Sequence, residues 1–271
     1  MKSAFFIPVI LLSFFGCKGK VTGIESGNYS GKYPTNLNNQ WEYSNNISEK
    51  YLNFTGLDSS RSTDLPNTIV RITSVNDSLP GYKNLIKMES YDADTPGLIS
   101  EDWYLNTDSF FSIIAYRDPG ASYPIVPKNR GEKFLTIKEF ERLSQDFKFN
   151  FSINNNSSDT IQYYTYPRIV IKYPLQIGSS WNELKTPFYR DRIVKDITSL
   201  QINNKTYQCY VIEAYVQEYK MKMIDYINLK AGLLKREIIA DSLAITSPDS
   251  PDSITGYAFG HDVSILVSKN F

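Results

Sequence analysis

The run TIVRITSVNDSLPGYKNLIKMESY, residues 68–91, decides the fold. Its ends, TIVRITSV (68–75) and NLIKMESY (84–91), are short alternating stretches rich in β-branched and aromatic residues. Between them stand Asn, Asp, Ser, Pro and Gly, which interrupt strands and close antiparallel hairpins. The same texture recurs in RIVIKY (168–173), YQCYVIEAYV (207–216) and SILVS (264–268). In YQCYVIEAYV, Tyr210, Ile212, Ala214 and Val216 form the face expected to be buried, opposite Tyr207, Cys209, Val211, Glu213 and Tyr215. The 20 tyrosines and 14% aromatic content also favour sheet over helical bundle. The chain is therefore expected to be mostly β, as curved antiparallel sheets or a half-barrel.

Working outward, the hairpin recurs within a longer repeat. YPTNLNNQWE begins at Tyr33 and YPLQIGSSWN at Tyr173, with Trp41 and Trp181 at the same distance from each proline. Downstream, RIVKDITSLQINNKTYQCYVIEAY (192–215) repeats the strand, turn, strand order of 68–91. Asp102-Trp103 then precedes Ser109-Phe110-Phe111 as Asp225-Tyr226 precedes Gly232-Leu233-Leu234. Three matches in one order imply two similar units, about 33–118 and 173–245, with Trp41, Trp181, Trp103 and Tyr226 as structural anchors. Each Tyr-Pro is expected to begin a strand, where a missing N–H costs least.

One stretch departs from this texture. In TIKEFERLSQDFK (136–148), Ile137, Phe140, Leu143 and Phe147 recur at helical spacing, and Thr136 with Glu139 makes a capping box. One short helix is predicted near 137–147.

The chain opens MKSAFFIPVILLSFFGCKGK. Lys2 precedes an apolar run from Ala4 to Phe15, and Lys18 and Lys20 end it. As a helix that run would span about 18 Å, short of the ~30 Å bilayer core, so it reads as a signal segment. Its end resembles a bacterial lipoprotein signal, with Gly16 before Cys17 and with Phe14 and Phe15 where Leu and a small residue are usual. That resemblance implies a signal peptide over 1–16 and a fatty-acyl (palmitate-type) anchor on Cys17. The alternative is an ordinary secretory signal with an incidental cysteine. Residues 17–32, rich in Gly, Ser and Lys, read as a flexible tether, and 33–271 as the β-rich domain. With Cys17 lipidated, Cys209 has no disulfide partner.

YPLQIGSSW (173–181) resembles the "Pro-Leu-x-x-Gly-x-x-Trp" entry motif of uncharacterised β-rich domains in bacterial secreted proteins and lipoproteins. ITSLQINNKTYQCYVIEAY (197–215) is similar to the strands that follow there, and AGLLKREI (231–238) to their closing strand. The first unit lacks the glycine and the cysteine. Such domains look related in fold to the half-barrels of lipoprotein carriers of the LolA and LolB type, which implies an envelope, outer-membrane setting but no catalytic residue.

Charge narrows the partners. Lys+Arg 29 balance Asp+Glu 29, so no basic surface is available for nucleic acid. His261-Asp262 has no G-x-S-x-G elbow to serve, and its side chains should point to opposite faces of a strand or sit at a turn. Cys209 reads as a buried inert thiol. Asp94, Glu101 and Asp102 flank a turn without EF-hand spacing and read as turn formers rather than calcium ligands. SPDSPDS (247–253) reads as a solvated loop. The expectation is a non-enzymatic protein without metal or cofactor. It would be anchored in the membrane by its N-terminal lipid and would bind a hydrophobic small molecule or lipid. The alternative is a surface-displayed module with a filled core and a protein partner.

Overall fold

In a computed structural model the described residues are 31–53, 58–95, 97–117, 136–137, 139–141, 160–185, 189–216, 220–247 and 250–271. Twelve strands form one antiparallel sheet. The first six are β1 (Gln40–Asn53), β2 (Asp58–Leu79), β3 (Tyr82–Asp92), β4 (Leu98–Asn106), β5 (Phe110–Arg117) and β6 (Gln162–Lys172). The second six are β7 (Ser180–Leu184), β8 (Arg190–Ile202), β9 (Lys205–Val216), β10 (Met221–Asn228), β11 (Gly232–Ser247) and β12 (Ser250–Asn270).

The order is β6-β5-β4-β3-β2-β1-β12-β11-β10-β9-β8-β7, so two six-strand meanders join where β1 pairs with β12. That junction is long, running from Gln40↔Asn270 to Asn53↔Gly256. The sheet curls until it is nearly a closed barrel, further than a half-barrel. Its two edges, β6 and β7, share no backbone ladder. Side chains bridge them: the Trp181 indole N–H donates to the Ile169 carbonyl at 2.9 Å, and Arg168 pairs with Glu183 at 2.7 Å.

The inward residues fall into three tiers. Along β10 they read Ile227, Asp225, Met223; along β11, Leu234, Arg236, Ile238; along β1, Tyr43, Asn45, Ile47. The outer tiers belong to two apolar clusters, the larger around Trp41, Trp181 and Ile212, the other around Met223, Leu243 and Phe140. A polar belt separates them.

The helical prediction stands in part. Ile137 and residues 139–141 are helical, and residues 142–147 lie outside those described. The capping box forms: the Thr136 N–H donates to Glu139 Oε2 at 2.7 Å, and the Glu139 N–H to Thr136 Oγ1 at 3.3 Å. This turn carries Phe140 into the second cluster, fully buried.

Three local expectations need correction. The Tyr-Pro pairs lie ahead of the strands: β1 opens at Gln40 and β7 at Ser180, seven residues after Tyr33 and Tyr173 (40 − 33 and 180 − 173). They meet at one end of the barrel, where the Tyr33 N–H donates to the Tyr173 hydroxyl at 2.8 Å. Residues read as the 247–253 loop instead carry β11 to Ser247 and β12 from Ser250, because β-pairing with neighbours outweighs weak strand propensity. On β9, Tyr207 and Cys209 are buried as well as Tyr210, Ile212, Ala214 and Val216: the first two join Tyr210 and Ile212 in the main cluster, while Ala214 and Val216 belong to the second.

Candidate functional site: a charged belt and a small cavity inside the barrel

Each belt residue sits where its strand crosses from one apolar cluster to the other. Glu183 on β7 is at the centre. Its Oε1 accepts from Arg168 Nε at 2.7 Å and Arg190 Nη2 at 2.6 Å, and its Oε2 from Arg192 Nε at 2.5 Å. Arg192 also donates to Asp225 Oδ2 at 2.7 Å. Arg236 grips Asp225 with two parallel bonds, Nε to Oδ1 at 2.5 Å and Nη2 to Oδ2 at 2.8 Å, the geometry that guanidinium and carboxylate favour. The neutral part of the belt continues across the β1–β12 junction: Asn45 donates to Thr68 at 3.0 Å and accepts from Ser264 at 2.8 Å.

Burial opposes ionisation of Glu183, yet Arg190, Arg192 and Arg168 hold its carboxyl far below the usual carboxylate range. Asp225 behaves alike: burial would raise it, and Arg236 with Arg192 lowers it. Charges so deeply buried persist because they are paired.

A cavity of about 80 Å³ adjoins this belt, lined by Tyr33, Tyr43, Ser90, Asp102, Tyr104 and Arg236 among polar residues and by Met88, Phe111, Ile171 and Leu233 among apolar ones. Tyr33, Phe111 and Tyr104 form a continuous stack, with centroids 4.8 Å and 4.7 Å apart. Burial pushes the Tyr33 hydroxyl up to about 12. A ligand pocket usually spans roughly 300–1,000 Å³. The space here suits a few ordered waters better than an acyl chain.

The anchors named from sequence are placed as follows. Trp41 and Trp181 are both buried, each near the start of the first strand of its meander, and both belong to the larger cluster. The Trp41 indole N–H donates to the Ala231 carbonyl at 2.8 Å. Gly232 at φ +87° makes this approach possible, since a β-carbon there would stand 2.6 Å from Trp41 Nε1. Trp103 and Tyr226 face outward, under Lys87 at 5.6 Å and Lys235 at 5.3 Å, while their neighbours Asp102 and Asp225 point in. Cys17 lies outside the described residues.

Other candidates separate. Glu101 faces outward to Lys87 at 2.5 Å and to Arg117, Asp102 points inward, and Asp94 is in an exposed turn, so the three do not converge. No metal-ligand cluster occurs among the described residues. His261 and Asp262 do point to opposite faces, but in the middle of β12 rather than at a turn, because β12 is laddered on both sides there. The His261 side chain is 42% exposed beside Glu237, and Asp262 is buried.

The charged belt was missed from sequence. Its signal is a polar residue at an inward position of several strands, visible only after each strand's facing is known. The outer-face cluster of Leu85, Trp103, Ile114 and Ala115 was missed for the same reason.

No protein-family model matches the chain, and no curated protein matches it. Among solved structures, a Bacteroides fragilis protein described as exported and of YmcC-like fold is similar, with 8% identity and a TM-score of 0.39 over 89% of this chain and 100% of that one. A Parabacteroides distasonis protein described as a lipoprotein gives 9% identity and a TM-score of 0.34 over 89% and 99%. At such scores neither likeness bears on what this chain does.

Proposed function

We propose that this chain is a non-enzymatic module of the bacterial cell envelope, tethered to the outer membrane through an acyl chain on Cys17, and that it acts through its outer surface. The reading treats the barrel interior as core. The observation that supports it is the belt of Arg168, Glu183, Arg190, Arg192, Asp225 and Arg236 across the middle of the barrel, with about 80 Å³ of space beside it. An acyl chain lying along the barrel would have to displace paired charges, and breaking a buried pair costs about 3–5 kcal/mol. The same reading takes the two six-strand meanders as copies of one unit, on the matched places of Trp41 and Trp181.

Two measurements test it. Cys17→Ala should move the protein out of the membrane fraction and abolish labelling by a fatty-acid probe. Full-length protein in detergent should show no saturable binding of a fluorescent fatty acid. A saturable midpoint that weakens in Tyr104→Ala without a lower Tm would instead establish a carrier of hydrophobic ligands.

A further inference from the structure

Among the described residues, the tyrosines more than a third exposed are Tyr163, Tyr166, Tyr189 and Tyr215. All lie on or beside β6, β8 and β9, around the line where the barrel edges meet. Three of them form one strip on the outer face. Tyr166, 65% exposed, lies under the Lys185 ammonium at 5.6 Å. Tyr189 hydrogen-bonds to Asp191 and Asn182, and Asn182 Nδ2 donates to Asp191 Oδ1 at 3.1 Å. Asp191 stands directly across from Tyr215, whose other cross-strand neighbour is Lys222.

We infer that this strip, Tyr166, Tyr189 and Tyr215 with Lys185, Asn182 and Asp191, is a docking surface for a neutral polysaccharide. The inference rests on the reading of an anchored module that acts through its outside.

Two features choose the partner. The first is area. Tyrosines offer roughly 150–250 Å² each, so three rings a little over half exposed present on the order of 300 Å². A stable protein interface takes about 800 Å² from each partner around an apolar centre, and no exposed aliphatic residue lies on these cross-strand positions to supply one. The second is charge. Lys185, Lys195 and Lys222 interleave with Asp191 and with Glu213, which lies 3.9 Å from Lys195 and 3.8 Å from Lys222, so both signs are mixed along the strip and its one net positive charge is too little to select a polyanion. Flat rings rimmed by hydroxyl, amide and carboxylate groups match a sugar, whose C–H faces lie on aromatic rings while its hydroxyls exchange hydrogen bonds. A linear polymer can repeat such contacts across adjacent strands.

The test is affinity electrophoresis of full-length protein in detergent, through gels containing dextran, mannan, galactomannan or glycogen, with alginate as the charged comparison. At least one neutral polymer should retard the protein. Replacing Tyr166, Tyr189 and Tyr215 together by alanine should weaken that retardation at least tenfold with an unchanged Tm, while Phe259→Ala, exposed on β12, should not alter it. Failure of every neutral polymer, equal retardation of the triple variant, or retardation by alginate alone would overturn the inference. Photo-crosslinking from position 215 to an envelope protein, without polysaccharide binding, would overturn it too and leave the anchored module standing. Saturable fatty-acid binding would instead remove the module reading itself.

Discussion

Arg168 on β6 donates to Glu183 on β7 across 2.7 Å, an ion pair joining two strands that share no ladder. Elsewhere around the barrel neighbouring strands are held by repeated backbone bonds. At this line the charged belt does the joining, together with the Trp181 indole. Glu183→Gln keeps the shape and removes the one negative charge that Arg168, Arg190 and Arg192 share. It should lower unfolding free energy by about 3–5 kcal/mol in urea titration. A loss under about 1 kcal/mol would mean that the belt is incidental to stability.

Acid should weaken the fold. His261, 3.5 Å away, and then Lys235 bring Glu237 to about 2 against the effect of burial, and Glu183 and Asp225 are also lowered. Carboxyls depressed in the folded state stabilise it fully above their unfolded values, near 4. That contribution is lost as pH falls from about 4.5 towards 2. Tm measured between pH 7 and 2.5 should be nearly flat to about 5 and then drop. A Tm constant down to pH 3 would contradict the assignment.

Phe140 and Leu243 fill the space a β-carbon on Gly260 would need: it would stand 2.6 Å from Phe140 Cδ1 and 2.8 Å from Leu243 Cδ1. Gly260→Ala should therefore cost roughly 1–3 kcal/mol through overpacking. Adding Phe140→Leu should recover part of the loss, because it trims the ring that clashes. A double variant less stable than the sum of the two singles would show that the contact has been misjudged.

Burial pushes the Cys209 thiol up to about 11, with no cation to offset it. At pH 8 little thiolate exists to react. Cys17→Ala protein should consume a thiol reagent only after denaturation, one equivalent per chain. Rapid native reaction would indicate an open barrel.

The β1–β12 ladder brings Gln40 opposite Asn270, so the start and the end of the described barrel adjoin. Linking residue 271 to residue 33 and opening the chain at Ile177, which is exposed before β7, should give a folded permutant. Circular dichroism and a cooperative melt would show it. Failure to fold would argue that β6 and β7 must be covalently joined to form their side-chain bridge.

The sequence by itself determined the strand content, the hairpins at 68–91 and 192–215, the capped turn at Thr136–Glu139 and the burial of Trp41 and Trp181. Each follows from local chemistry: alternation, turn residues, a cap, and a large apolar ring. It found only the ends of the sixth strand of each meander, RIVIKY and SILVS, and missed their beginnings, because 162–167 lies far from β5 in the chain and β12 starts through Pro, Asp and Ser that read as loop. Tertiary structure alone decided that β1 and β12 zip while β6 and β7 meet through side chains. It also decided that residues as distant as Arg168 and Asp225 share one buried belt with Arg192 between Glu183 and Asp225. A charged residue in an alternating strand carries no mark of whether it faces water or another charge. Closure of the sheet fixes that, by choosing which face of every strand becomes the inside.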